Sequence, residues 1–226
     1  MEKATIFAFL LFCQVKAFSQ TIISDNFKII QKPIVFDETR KKLSLEYISA
    51  HHGINQKSPT IEPYMIVLHY TAGGTLSSNY NYFNRVEIEK GRALNHKASR
   101  LNVSAHFLVD RDGVIYQLLP ETTFARHTIG LNYCAIGVEN VGGPDNPLTE
   151  KQMLANVALV KYLCDKFKIE YLIGHSEYLR FKSSSIWKEL DKSYITHKGD
   201  PGDEFMKKVR ERLAELHLKD APSNSK

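Results

Sequence analysis

Three short apolar runs, each ending on a residue that can bind a metal or move a proton, constrain this chain more than any other feature. "YMIVLHY" (64–70) stands between Pro63 and a Thr-Ala-Gly-Gly loop, "AIGVENVGG" (135–143) stops at a glycine pair, and "YLIGH" (171–175) ends on His175. Short apolar runs bounded by Pro and Gly read as strands buried on both faces. His69, Glu139 and His175 therefore fall at strand ends, and side chains there share the crevice where open sheets bind ligands.

The remaining signals fill in a sheet with helices. "AHFLVDRDGVIYQLLP" (105–120) reads as a hairpin turning at Asp112-Gly113. Met153, Val157, Val160, Cys164 and Phe167 make a helical stripe, with Thr149 placed to cap it. "SSNYNYFNR" (77–85) suggests a short helix and 202–218 a closing one. The expected fold class is α/β (α+β): a single domain with a central mixed β-sheet flanked by helices. A length of 226 residues suits one such domain, with 21–63 as an N-terminal extension packed on it and 219–226 as a polar tail. A hydrophobic content of 43% against 24% charged is the balance of a folded chain. The net charge of +5 is spread along the sequence with no polybasic run, so no nucleic-acid partner is expected.

Residues 1–20, "MEKATIFAFLLFCQVKAFSQ", read as a secretory signal peptide: Lys3, a short apolar stretch, then small residues. A lipid anchor on Cys13 is the weaker alternative, because bulky Phe12 precedes it. No later segment is apolar for the roughly 20 residues a spanning helix needs. The chain is expected to be exported, to a bacterial periplasm or outside the cell. Cys134 and Cys164 would then remain, as one disulfide or as two buried thiols.

The metal candidates come from type and position. Zinc hydrolases use three His, Asp or Glu ligands and leave a fourth position for water. His69 and His175 at two strand mouths make a better pair than any two histidines in a loop, and Asp200, held by Pro201-Gly202, supplies a carboxylate. In "HKGDPG" (197–202), residue types alone leave His197 as good a ligand as Asp200.

Taken in order, "IVLHYTAG", "VSAHFLVDRDGVIYQ", "HTIG…AIGVENVG", "IGHSEY" and "KGDPG" resemble the type 2 N-acetylmuramoyl-L-alanine amidase family, over about 64–216. That family also includes anhydromuramoyl-peptide amidases, phage lysozyme-amidases and animal peptidoglycan recognition proteins. The resemblance implies a zinc amidase domain over 64–218 holding one Zn2+ ion, with peptidoglycan or muropeptides as substrate. The bond cut would be the amide between the lactyl group of N-acetylmuramic acid and L-alanine. Position by position, it implies His69, His175 and Asp200 as metal ligands, Glu139 as general base and acid, and Lys198 as the cation facing the oxyanion. Zinc can bring bound water to a pKa near 7, which suits a carboxylate base beside it. His127, Arg126 and Asn140 are candidate substrate contacts, His106 a structural residue, and His197 has no role.

Two departures are visible. Some members carry a catalytic tyrosine where this chain has Ala105, which leaves the base to Glu139. Residues 179–196 form an insertion with the only tryptophan, Trp187, readable as a rim helix gripping substrate or as a surface elaboration. The alternative function is a non-catalytic peptidoglycan-binding module of the same fold. Such members have lost a ligand, and none is missing here.

Overall fold

The three apolar runs lie side by side as parallel strands of a seven-stranded sheet, in a computed structural model that describes residues 22–24 and 27–223. They are β3 (Met65–Tyr70), β6 (Ala135–Asn140) and β7 (Tyr171–Gly174), with β3 between the other two. The expected hairpin supplies β4 (Phe107–Val109) and β5 (Ile115–Gln117), paired antiparallel, and β4 runs parallel to β6. The expected signal peptide and Cys13 lie outside the described residues.

The N-terminal extension is woven into the same sheet. β2 (Phe27–Gln31) pairs in parallel with β5, and β1 (Ile22–Ser24) pairs antiparallel with β2 at the sheet edge. The extension continues as α1 (Glu38–His52), which starts where the Asp37 side chain accepts from the Arg40 N–H and stops at Gly53 in the left-handed region. Arg40 is buried, and its Nη2 donates to the carbonyls of Phe83, Asn84 and Arg85. It thereby satisfies carbonyls left open at the end of α2 (Leu76–Asn84). The chain end is also tied in: the Leu172 N–H donates to the Lys219 carbonyl, and Ala221 is buried.

Both faces of the central strands are covered, which is why those strands read as unbroken apolar runs. On one face Ile66, Leu68, Ile136 and Val138 pack against α4 (Glu150–Lys166) and α5 (Asp203–Glu211). Thr149 caps α4, its Oγ1 accepting from the Gln152 N–H while its own N–H donates to Gln152 Oε1. On the other face Met65, Val67, Ala135 and Ile173 pack against Leu43, Tyr47 and Ile48 of α1, with Phe124, Tyr178 and Phe181. Alternation along a strand puts His69 and Glu139 on this second face and Asn140 on the first.

Residues 182–202 form no helix, so the insertion is not a rim helix. Its Trp187 packs inward against Tyr178, with ring centroids 5.9 Å apart, and the Tyr133 hydroxyl donates to the Ile186 carbonyl. Cys134 and Cys164 are free thiols. Among the described residues no helix is long and apolar enough to cross a membrane.

Candidate metal centre and active site

Strand register places the first two donors. His69 is aligned with Glu139 on β6, and Leu68 with Gly174 on β7, so His69 and His175 leave adjacent strands at the same level. Asp200 arrives on the loop after the insertion, where its carbonyl accepts from the Ser176 N–H. This close approach needs Gly174: a Cβ there would lie 2.9 Å from Pro201 Cδ. All three donor residues are buried. His69 Nδ1 is 2.9 Å from His175 Nδ1 and 3.2 Å from Asp200 Oδ2, and His175 Nδ1 is 3.1 Å from the same oxygen.

Beside this cluster Glu139 points into a cleft bordered by Tyr70, Asn79, Tyr82, Arg92 and Lys198. Its Oε2 is buried and has no hydrogen-bond partner. Burial pushes its pKa up to about 7, against the opposing pull of His69, Lys198 and Arg92. Burial also pushes His175 down to about 4, with the charge of His69 acting the same way. Asp200 is held well below the usual carboxylate range: burial raises it, but its contacts with His175 and His69 outweigh that.

The family model for N-acetylmuramoyl-L-alanine amidases matches residues 56–203. The chain belongs to this family. Solved structures similar to it include the family's amidase LysC from Clostridium intestinale URNW, at 22% identity over 74% of this chain and 96% of that one, with a TM-score of 0.48. AmiD from E. coli, in complex with the substrate anhydro-N-acetylmuramic acid-L-Ala-D-gamma-Glu-L-Lys, is 21% identical over 67% of this chain and 57% of its own, with a TM-score of 0.46. Human PGRP-IβC, in complex with glycosamyl muramyl pentapeptide, is 16% identical over 71% and 89%, with a TM-score of 0.49. No curated protein matches the chain.

Within this member of the amidase family, the structure brings His69, His175 and Asp200 together and sets Glu139 and Lys198 on the same cleft. His197 is exposed at the cleft rim and is not one of the converging donors. One expected substrate contact is corrected. Asn140 is fully buried on the opposite face, where its Nδ2 donates to the His69 carbonyl and its Oδ1 accepts from Asn156. Arg126 borders the cleft; its Nη1 and Nη2 donate to the carbonyls of Asn95, Ser99 and Leu101 and to the Tyr194 hydroxyl, while its buried Nε has no partner. His127 also borders the cleft, with its ring bonded to His69. His106 is buried and neutral: Nε2 donates to the Thr123 carbonyl and Nδ1 accepts from the Gly137 N–H. Sequence reasoning passed over Asn79, Tyr82 and Arg92, which lie in a segment with no motif. Only the helical stretch near the "TAGG" loop could have pointed to Asn79 and Tyr82; Arg92 lies beyond it, just before the helix Ala93–Ala98.

Proposed function

We propose that this chain is a zinc-dependent N-acetylmuramoyl-L-alanine amidase, cutting the amide between the lactyl group of N-acetylmuramic acid and L-alanine in peptidoglycan or muropeptides. The observation that carries this reading is the convergence of two imidazole nitrogens and one carboxylate oxygen beside a second carboxylate with a free, buried oxygen. The donor set fits zinc, which takes His nitrogen and Asp oxygen and leaves a position open in catalytic sites. His69, His175 and Asp200 would hold the ion. When bound, zinc supplies Lewis-acid polarisation and lowers the pKa of water.

The chain's own groups do the rest. Glu139 Oε2 takes a proton from the attacking water and delivers it to the nitrogen of the departing L-alanine. A carboxyl poised near 7 can both accept and release that proton at neutral pH. Lys198 contributes positive charge where the carbonyl oxygen becomes anionic. The carbon–nitrogen bond breaks, the water oxygen joins the carbonyl carbon, and the products are a lactyl carboxylate and a peptide with a free amino terminus.

The test is zinc content of the purified protein together with release of free stem peptide from sacculi and from soluble muropeptides. One zinc per chain and new L-alanine amino termini are expected. Glu139→Gln should keep its zinc and lose about 10²–10⁴ in rate. Full zinc occupancy without peptide release in the wild type would replace this reading with the binding-module one.

A further inference from the structure

His127 lies behind His69 and has a ring held on three sides. Its flat face presses on Gly137 of β6, where an added Cβ would stand 2.7–2.8 Å from ring atoms. The backbone that carries it is fixed by Asn132, whose Oδ1 accepts from the His127 and Thr128 N–H groups at 2.8 and 2.6 Å. Its Nε2 is 3.0 Å from the Ala135 carbonyl oxygen, and its Nδ1 is 3.1 Å from His69 Nε2 and 2.9 Å from Thr128 Oγ1.

These contacts determine where the hydrogens sit. A carbonyl oxygen only accepts, so His127 Nε2 carries the hydrogen that faces Ala135. In the neutral ring Nδ1 is then an acceptor; the Thr128 hydroxyl is a second donor to it, but two ring lone pairs facing each other at 3.1 Å would repel, so His69 Nε2 also carries a hydrogen. That leaves the lone pair of His69 on Nδ1, the atom 2.9 Å from His175 Nδ1 and 3.2 Å from Asp200 Oδ2.

We propose that His127 is a positioning residue, fixing His69 in the Nε2–H tautomer so that Nδ1 presents its lone pair to the metal. The inference rests on His69 being a ligand. His127 touches no reacting atom. It acts through His69, as outer-shell hydrogen bonds to ligating histidines generally do, at about 10–100-fold in metal affinity.

The test compares His127→Phe with His127→Gln in the full chain. Phe keeps a ring against Gly137 but removes both nitrogens, whereas Gln retains one donor and one acceptor. In competition with a chromophoric chelator, Phe should weaken zinc binding about 10–100-fold, and Gln should recover most of it. Nitrogen–proton correlation NMR of the zinc-loaded wild type should show His69 protonated at Nε2 and bound through Nδ1. That signature stands on its own if the Phe variant fails to fold. A merely structural His127 would lower thermal stability in both variants and leave zinc affinity alone. Unchanged affinity in the folded Phe variant, or His69 bound through Nε2, overturns the inference while leaving the proposed function in place. A wild type that binds no zinc overturns both.

Discussion

His51 and His69 are both buried, and each has a carboxylate oxygen within 3.2 Å of a ring nitrogen, yet their neighbours differ in kind. His51 Nδ1 faces Glu189 Oε1 at 2.8 Å and Nε2 faces the Ala98 carbonyl at 3.0 Å. Both neighbours accept, so two ring hydrogens close the cluster and tie α1 to α3 (Ala93–Ala98) and to the insertion. His69 Nδ1 instead faces another imidazole nitrogen and a carboxylate oxygen, and a single cation between the three would satisfy them at once. Residue type does not separate the two clusters. The sign of the partners does, and it marks one as a joint and the other as a place for a metal.

The strongest way to break this comparison is to remove one member of each cluster in turn. Asp200→Ala should abolish zinc binding and hydrolysis together while the chain still folds, read by metal analysis, peptide release and circular dichroism. Zinc retained at wild-type affinity would show that the converging donors are an ordinary buried cluster.

Next in size is the joint. His51→Ala leaves the Glu189 carboxylate buried without its partner, which should cost about 3–5 kcal/mol of stability. Zinc affinity and turnover per folded molecule should hold. Urea denaturation measures the first and chelator competition the second. A variant that loses zinc without losing stability would mean the joint belongs to the site.

The smallest effect sharpens the comparison with pH. Burial works to lower the pKa of His51, but its hydrogen bonds to Glu189 and Ala98 raise it more. Its contribution to stability is therefore complete below the unfolded value of about 6.5 and lost as pH rises through the raised folded value. His52 next to it runs the other way. Its Nδ1 donates to the Lys188 carbonyl, its buried Nε2 has no partner, and burial lowers its pKa to about 4. Its contribution is complete above about 6.5 and lost as pH falls towards 4, by roughly 3 kcal/mol. Urea midpoints across pH 4–9 should fall on the acid side in the wild type and fall less in His52→Phe. An identical acid limb in that variant would remove the assignment.

The same contrast governs what could be read from the sequence. β3, β6, β7, the hairpin and α4 were legible because burial on both faces or on one stripe writes itself into apolar periodicity. His69, Glu139, His175 and Asp200 were legible because they close those runs or precede a Pro-Gly turn. The helix α1 was not, since Arg40, Ser44, His51 and His52 are buried on its inner face and break the apolar stripe. Their partners, Phe83 to Arg85 and Lys188 to Glu189, come from distant segments that sequence spacing does not bring together. Asn140 was misread for a simpler reason: it adjoins Glu139 in sequence, and neighbours on a strand point to opposite faces.

One consequence follows from the order β6-β3-β7. Glu139 and His69 sit on neighbouring strands and His175 directly follows the third, so the three are spaced sideways by the backbone ladder at about 4.8 Å per strand. The ruler of the site is thus the peptide hydrogen bond, which no side-chain substitution resets. A single residue inserted within β3 would turn His69 away from the cleft, whereas Asp200 lies outside the ladder and is placed by the bond from Ser176 N–H to its carbonyl. Chain length in the strands is rigidly specified by the ladder, and the place of the fourth group is specified separately, by one backbone bond beside His175.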